Sequence, residues 1–172
     1  MRHAISVTPA GQWSPQKTVA TVTLSYNERY RRRFRMTDDA GVDFLLNLNE
    51  ATLLMDGDGL ILDTGGYIAV RAANELIADL YGKTPAETAR IAWHIGNRHT
   101  PVQVLHTGAL RIVQDHVLIN MVEKLGAKVI RHQAPFVPEA GAYGGGQAGN
   151  AHNHTHGHKH GSADEHHHAH KH

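Results

Sequence analysis

The amino-acid sequence predicts an α+β chain in three stretches: a small all-β domain over residues 1–72, a ferredoxin-like βαββαβ domain over 73–143, and a disordered histidine-rich tail over 144–172. Three observations predict it. Alternating apolar and polar residues punctuated by glycine-rich turns run to about Arg71. Two capped helical segments then interleave with short apolar runs, and from Pro135 the composition shifts to glycine and histidine.

In the first stretch, Thr18 to Tyr26 alternates, with Val22, Leu24 and Tyr26 on one face and threonine or serine on the other. Leu45 to Leu54 is a second apolar segment. Gly57-Asp58-Gly59 and Thr64-Gly65-Gly66 are turn signals around the short run Leu60-Ile61-Leu62, and Tyr67-Ile68-Ala69-Val70 follows. Short strands with such turns suggest a small β sandwich or barrel.

In the second stretch, Leu76 to Tyr81 reads as a strand. Thr84-Pro85-Ala86-Glu87 has the form of a capping box with proline at the first helical position. The helix it opens carries Ala89, Ala92 and Trp93 as its expected buried stripe, and Gly96 as its stop. Val102 to Leu105 and Leu110 to Val113 flank Thr107-Gly108 as a hairpin. Asp115 caps a second helix with Val117, Leu118, Met121, Val122 and Leu125 on one face, closed by Gly126. A last strand runs from Lys128 to about His132. The order βαββαβ is the ferredoxin-like arrangement.

The tail carries the strongest chemical signal. His152, His154, His156, His158 and His160 alternate with small or polar residues, and His166, His167, His168, His170 and His172 form a second cluster. Imidazole ligates Ni²⁺, Cu²⁺ and Zn²⁺, and a flexible run lets several rings converge on one ion. The alternative is a cloning tag, but Asn153, Thr155, Gly157, Lys159 and the Asp164-Glu165 pair interrupt the run. Cysteine is absent, which excludes disulfides, zinc–thiolate sites and thiol nucleophiles. The formal charge of +1 counts all 16 histidines as neutral, so it climbs as pH falls through about 6.5. Met1 to Ser6 lacks the apolar run of a signal peptide, and no apolar stretch reaches membrane-spanning length. A soluble cytoplasmic protein with no membrane partner is expected.

Other motifs read two ways. His94-Ile95-Gly96-Asn97-Arg98-His99 is either part of a metal site or a helix C-terminus, turned at Gly96, with Arg98 and His99 near the negative dipole end. His116 is a ligand or a polar first-turn residue. His106 reads as a hairpin-loop residue, His132 as a strand-end residue, and His3 has no partner in sequence. Arg29, Arg31, Arg32, Arg33 and Arg35, interleaved with Tyr30 and Phe34, are a basic binding patch or the solvated face of a strand compensated by Asp38, Asp39 and Asp43. Asp56-Gly57-Asp58-Gly59 opens like a calcium loop, but the required terminal glutamate is Tyr67, so a hairpin turn is expected. No His-Glu-x-x-His set exists for a metallohydrolase, and the aromatic motif of RNA-recognition domains is absent, so no enzyme and no nucleic-acid partner are expected.

Taken together, His94 to His99, Leu110-Arg111, Asp115-His116-Val117-Leu118 and Ala134 to Gly144 resemble the urease accessory protein E family, the nickel metallochaperones of urease maturation. The Asp56 to Leu60 turn and Val70-Arg71-Ala72-Ala73 are also similar to its first domain. The resemblance implies a peptide-binding β domain, a metal-binding ferredoxin-like domain that joins a homodimer, and a variable histidine-rich C-terminus. It implies that His99 supplies the shared metal ligand at the dimer interface, that His116 matches a secondary ligand position, and that His94 matches a further family position. The companion histidine two residues before His116 is Gln114 here. The function it implies is binding of Ni²⁺, with Zn²⁺ and Cu²⁺ as competitors, and delivery to apo-urease through an accessory GTPase. A general nickel or zinc store without a urease partner is the alternative.

Overall fold

The structure, a computed structural model, describes residues 1–139; the glycine-rich stretch and all ten tail histidines lie outside the described residues. Strands β1 (Arg2–Thr8), β2 (Thr18–Leu24), β3 (Tyr30–Thr37), β4 (Asp43–Leu53), β5 (Gly59–Leu62) and β6 (Tyr67–Ala72) form one mixed sheet in the order β2-β6-β5-β1-β4-β3. It is a half-barrel with β2 and β3 as edges, neither closed nor doubled into a sandwich. Val22, Leu24, Phe44, Leu46, Leu48, Leu60, Leu62, Ile68 and Val70 share its core, as alternation requires. Tyr26 departs from the expected strand. Ser25 donates through its backbone N–H (2.9 Å) and its Oγ (2.7 Å) to the Glu28 carboxylate, so the chain turns into α1 (Tyr26–Arg29) instead.

The central strand β1 had no signal in the sequence: Ala4 is its only fully buried residue. It runs parallel to β4 and antiparallel to β5. The Asp56–Gly59 turn is real but joins strands that β1 separates, so it is no hairpin. Its carboxylates are engaged by backbone: Asp58 accepts from Ala10 (3.1 Å) and Met55 (2.8 Å), and Asp56 accepts from Ala72 (2.8 Å). Gly57 takes the left-handed conformation the turn needs (φ 85°).

The second half contains β7 (Asn74–Tyr81), α2 (Pro85–Gly96), β8 (Gln103–Val104), β9 (Leu110–Val113), α3 (His116–Lys124) and β10 (Lys128–Pro135). The sheet order β10-β7-β9-β8, all antiparallel, is the ferredoxin-like topology. Both helices cover one face. Thr84 caps α2 by accepting from Glu87 N–H (3.2 Å), but the Glu87 carboxylate accepts from Lys83 N–H (2.7 Å) rather than completing a box on Thr84. The buried stripe of α2 is Ile91 and Ile95, with Ala92 packing partly beside them; Ala89 is exposed and Trp93 is 63% exposed. Two isoleucines at i, i+4 each contribute about 1.5–3 kcal/mol on burial and set the helix rotation. In α3, Leu118, Ile119 and Val122 are buried, Met121 and Leu125 pack partly, and Val117 turns out to solvent. His132 sits within β10 rather than at its end. Among the described residues no helix is long and apolar enough to cross a membrane.

On the sheet face away from the helices, Asp79 is buried and accepts from Arg111 (2.7 and 3.0 Å), while His132 Nε2 lies 2.8 Å from the same carboxylate. Arg111 also donates to the Pro135 carbonyl (3.1 Å). The next residue, Phe136, meets the first half of the chain. Its ring packs edge-on against Tyr26 (5.4 Å between centroids), and its carbonyl accepts from the Nη2 of Arg29, a fully buried side chain. Tyr26 N–H donates to Glu75 Oε1 (2.8 Å), and Ala73 N–H to the Leu24 carbonyl (2.9 Å). Burial lowers the Arg29 pKa against the opposing charges of Glu75 and Asp56, but arginine is basic enough that the guanidinium remains a cation.

Arg29→Met is expected to cost roughly 1–3 kcal/mol, because it leaves the Phe136 carbonyl without its donor; urea midpoints of the two proteins measure it. Asp79 gives a second test. Burial raises its pKa, but the bonds from Arg111 and His132 outweigh burial and the net direction is down. A carboxyl depressed in the folded state adds stability above its unfolded pKa of about 3.9 and loses it as pH falls through the folded value. Acidification below about pH 4 is therefore expected to lower the urea midpoint more steeply for the native chain than for Asp79→Asn. Parallel slopes would remove Asp79 from the acid response.

Candidate functional site

The six histidines outside the tail are spread over both halves. His94 is half-buried near the C-terminal end of α2, its ring edge-on to Trp93 (4.9 Å). Beyond Gly96 the helix tightens: Asn97 N–H bonds the Trp93 carbonyl (3.0 Å), Arg98 N–H that of Ile95 (3.0 Å) and His99 N–H that of Gly96 (2.9 Å). Arg98 Nη1 donates to the His94 carbonyl (2.8 Å), satisfying one helix-end acceptor. The turn itself falls at His99 and not at Gly96. His99 has φ 52° and is exposed; it is the one non-glycine residue with positive φ among the described residues.

That conformation disfavours any side chain with a Cβ, although histidine tolerates it better than most. A non-glycine residue kept there in the open is a functional candidate, because sparsely populated backbone persists where the surroundings or the task demand it. The field of α2 points the same way. His94 and His99 lie at its negative end, where a cation is favoured.

His116 is exposed at the first position of α3, where the positive end opposes a cation. The adjoining Asp115 carboxylate is used as the cap, accepting from Leu118 N–H (2.8 Å). Gln114, two residues before His116, donates through its Nε2 to the Ile77 carbonyl (3.0 Å). His106 lies exposed in the β8–β9 turn. His132 is committed to Asp79. His3, without a partner in sequence, has Nδ1 3.7 Å from Asp63, a neighbour only the fold supplies. Among the described residues no three histidine or acidic side chains stand together as a ready metal site.

Apolar side chains are exposed beside two of these histidines, His94 and His116. Trp93 (63% exposed) and Val117 (60%) are large exposed hydrophobics, and a shallow depression on α3 is lined by Val117, Asn120, Met121, Lys124 and Leu125. The sequence placed Trp93 and Val117 inside; their exposure was hidden by stripes that could be read at two rotations.

Two family descriptions match the chain: "UreE urease accessory protein, N-terminal domain" over residues 3–73 and "UreE urease accessory protein, C-terminal domain" over residues 75–172. Named urease accessory proteins UreE are similar to it at 46% identity in Rhodopseudomonas palustris strain HaA2, covering 83% of this chain and 66% of the relative. Another, from Chelativorans sp. strain BNC1, is 44% identical over 86% of this chain and 89% of the relative. A third, from Beijerinckia indica, is 43% identical over 84% and 83%. With both halves of the fold matched in order, the chain belongs to the UreE urease accessory protein family.

Proposed function

We propose that the chain is a nickel metallochaperone: it binds Ni²⁺ and delivers it for assembly of the urease active site, catalysing no reaction of its own. The observation that carries this reading is His99, an exposed imidazole on left-handed backbone at the cation-favouring end of α2. One ring per chain is a poor site for an ion that takes four to six ligands, and a two-fold axis near His99 duplicates whatever one chain offers. The exposed Trp93 and Val117 beside these helix ends supply apolar surface for such a homodimer. His94, His116 and the tail histidines (152, 154, 156, 158, 160, 166, 167, 168, 170 and 172) are the auxiliary ligands.

In this reading the work divides by domain: residues 1–72 bind a peptide segment of a partner, residues 73–143 dimerise and hold the tight ion, and residues 144–172 collect metal. Handover goes to the accessory GTPase and the apo-urease complex in the cytoplasm. An open, all-imidazole site suits handover, since an incoming ligand can replace one ring at a time. Zn²⁺ and Cu²⁺ compete for the same nitrogens, so supply and partners set the cargo. A general nickel or zinc store is the second reading. It is separated by mixing the nickel-loaded protein with the apo-urease complex: transfer supports delivery, and retention supports storage.

The ligand test uses isothermal titration with Ni²⁺. A chain ending at Gly149 is expected to bind fewer ions while keeping one tight ion per dimer; unchanged stoichiometry would remove the tail from the metal account. In that shortened chain His99→Gly deletes the imidazole where glycine suits the backbone, so folding stability is held while the tight site is lost. Wild-type nickel affinity in His99→Gly would leave His99 as a helix-end residue only. Affinity is further expected to fall between about pH 7 and pH 5, as protons compete for the imidazole nitrogens. A flat profile would point to carboxylate ligands.

A further inference from the structure

The arginine run is not absorbed by the nickel reading. It lies on β3, an edge of the half-barrel that pairs with β4 on one side only. An eight-residue edge presents N–H and C=O groups outward at every second position, and such edges accept further strands unless something blocks them. Its charge is unbalanced locally. Arg35 pairs with Asp43, Asp38 is held by Arg2 (2.7 Å), Asp39 by Thr21 and Thr23, and Glu28 by Ser25. The carboxylates of Glu28, Asp38, Asp39 and Asp43 are therefore occupied, and Glu50, on β4 within the register shift opposite Arg31 and Arg33, forms no ion pair with either. Among the described residues Arg31, Arg32 and Arg33 have no carboxylate within ion-pair distance; Arg33 donates to the neutral Asn47 side chain (2.7 Å) and Arg31 to a backbone carbonyl (3.0 Å).

The two faces of the edge differ. Phe34 stands opposite the buried Leu46 and is 52% exposed at the rim of the core, whereas Arg33 stands opposite Asn47 on the other face. The Phe34 ring already carries the Arg31 guanidinium at 5.2 Å, which leaves it a poor platform for stacking a nucleobase.

We propose that β3 is a docking edge for an acidic, extended segment of another protein, which adds as one further strand beside it. Backbone hydrogen bonds supply the register. Carboxylates at alternate positions meet the guanidiniums on the Arg33 face, and apolar residues between them meet Phe34. The inference rests on the peptide-binding role proposed above for residues 1–72, to which it adds the edge and the class of peptide, and it holds whichever metal the histidines carry.

The test is fluorescence anisotropy on the full chain, at about pH 8 and with a chelator, so that the imidazoles are neutral and metal-free. The probes are a labelled peptide of about eight residues alternating Glu and Val, the same peptide N-methylated at alternate backbone positions, and a single-stranded oligonucleotide of equal charge. The acidic peptide is expected to bind, and N-methylation to weaken it at least about tenfold by removing strand donors. Joint Arg31→Ser, Arg32→Ser and Arg33→Ser substitution is expected to weaken it by a similar factor. Should that variant misfold, the two peptides compared on the native chain still decide. Failure of the acidic peptide to bind overturns the proposal and leaves the arginines as charges that keep edges apart. Equal binding of the N-methylated peptide overturns strand addition, and preference for the oligonucleotide overturns the peptide class.

Discussion

A guanidinium with no solvent exposure has to find its compensation inside the protein, and Arg29 finds it in both halves of the chain. Its own backbone carbonyl accepts from Leu54, fastening α1 to the end of β4 (2.9 Å). Its side chain reaches the Phe136 carbonyl, feels Glu75 and Asp56, and lies 5.6 Å from the Tyr26 ring. Because a buried cation without these partners is costly, the two domains cannot separate freely. The same contact determines where β10 leads: Arg111 holds Pro135, Arg29 holds Phe136, and Glu139 N–H bonds the Val102 carbonyl (2.8 Å). The strand is thereby carried across the face its helices leave bare.

Those helices keep a different part of the domain open. Ile91 and Ile95 turn α2 so that Trp93 looks outward, and the Asp115 cap with Leu118 and Ile119 does the same for Val117. The second domain exposes Leu76, Val104, Val113 and Ile130 on its strands, while these two apolar side chains stand beside histidines at helix ends. Polarity is asymmetric there, since α2 offers its negative end to His94 and His99 while α3 offers its positive end to His116.

Much of this was legible in the sequence, for reasons particular to each element. Thr84-Pro85 and Asp115 announce helix starts because capping is local chemistry, and the glycines at 57, 65, 66, 108 and 126 mark turns because each adopts positive φ. The ferredoxin-like order followed from counting such elements. Strand β1 was invisible because one buried alanine makes no pattern, and its partners are distant in sequence. The stripe of α3 was read correctly but for Val117, which is exposed, and Ile119, which is buried, whereas α2 was rotated toward Trp93 because a helix with apolar residues on adjoining sides has no unique inward face until the sheet beneath is known. At the candidate site, the Gly-Asn-Arg-His segment singles out His99 only through resemblance, and its left-handed backbone is visible only in the fold. The couplings of Asp79 with Arg111 and His132, and of His3 with Asp63, join residues far apart in sequence, which no local pattern encodes.

Strand β1 has a consequence for how the first domain assembles in time. Residues 2–4 pair with residues 44–46, and residues 4–8 pair with residues 59–62, so the middle of the sheet is built from pieces far apart in the sequence. Closing such loops carries its entropic cost before any contact repays it. The β3–β4 pair and the β5–β6 hairpin are nearer neighbours that can form early, each as a fragment with an open edge. They become a single sheet only when β1 slots between β4 and β5, which makes the least conspicuous stretch of the sequence the stave that joins the two parts of the half-barrel.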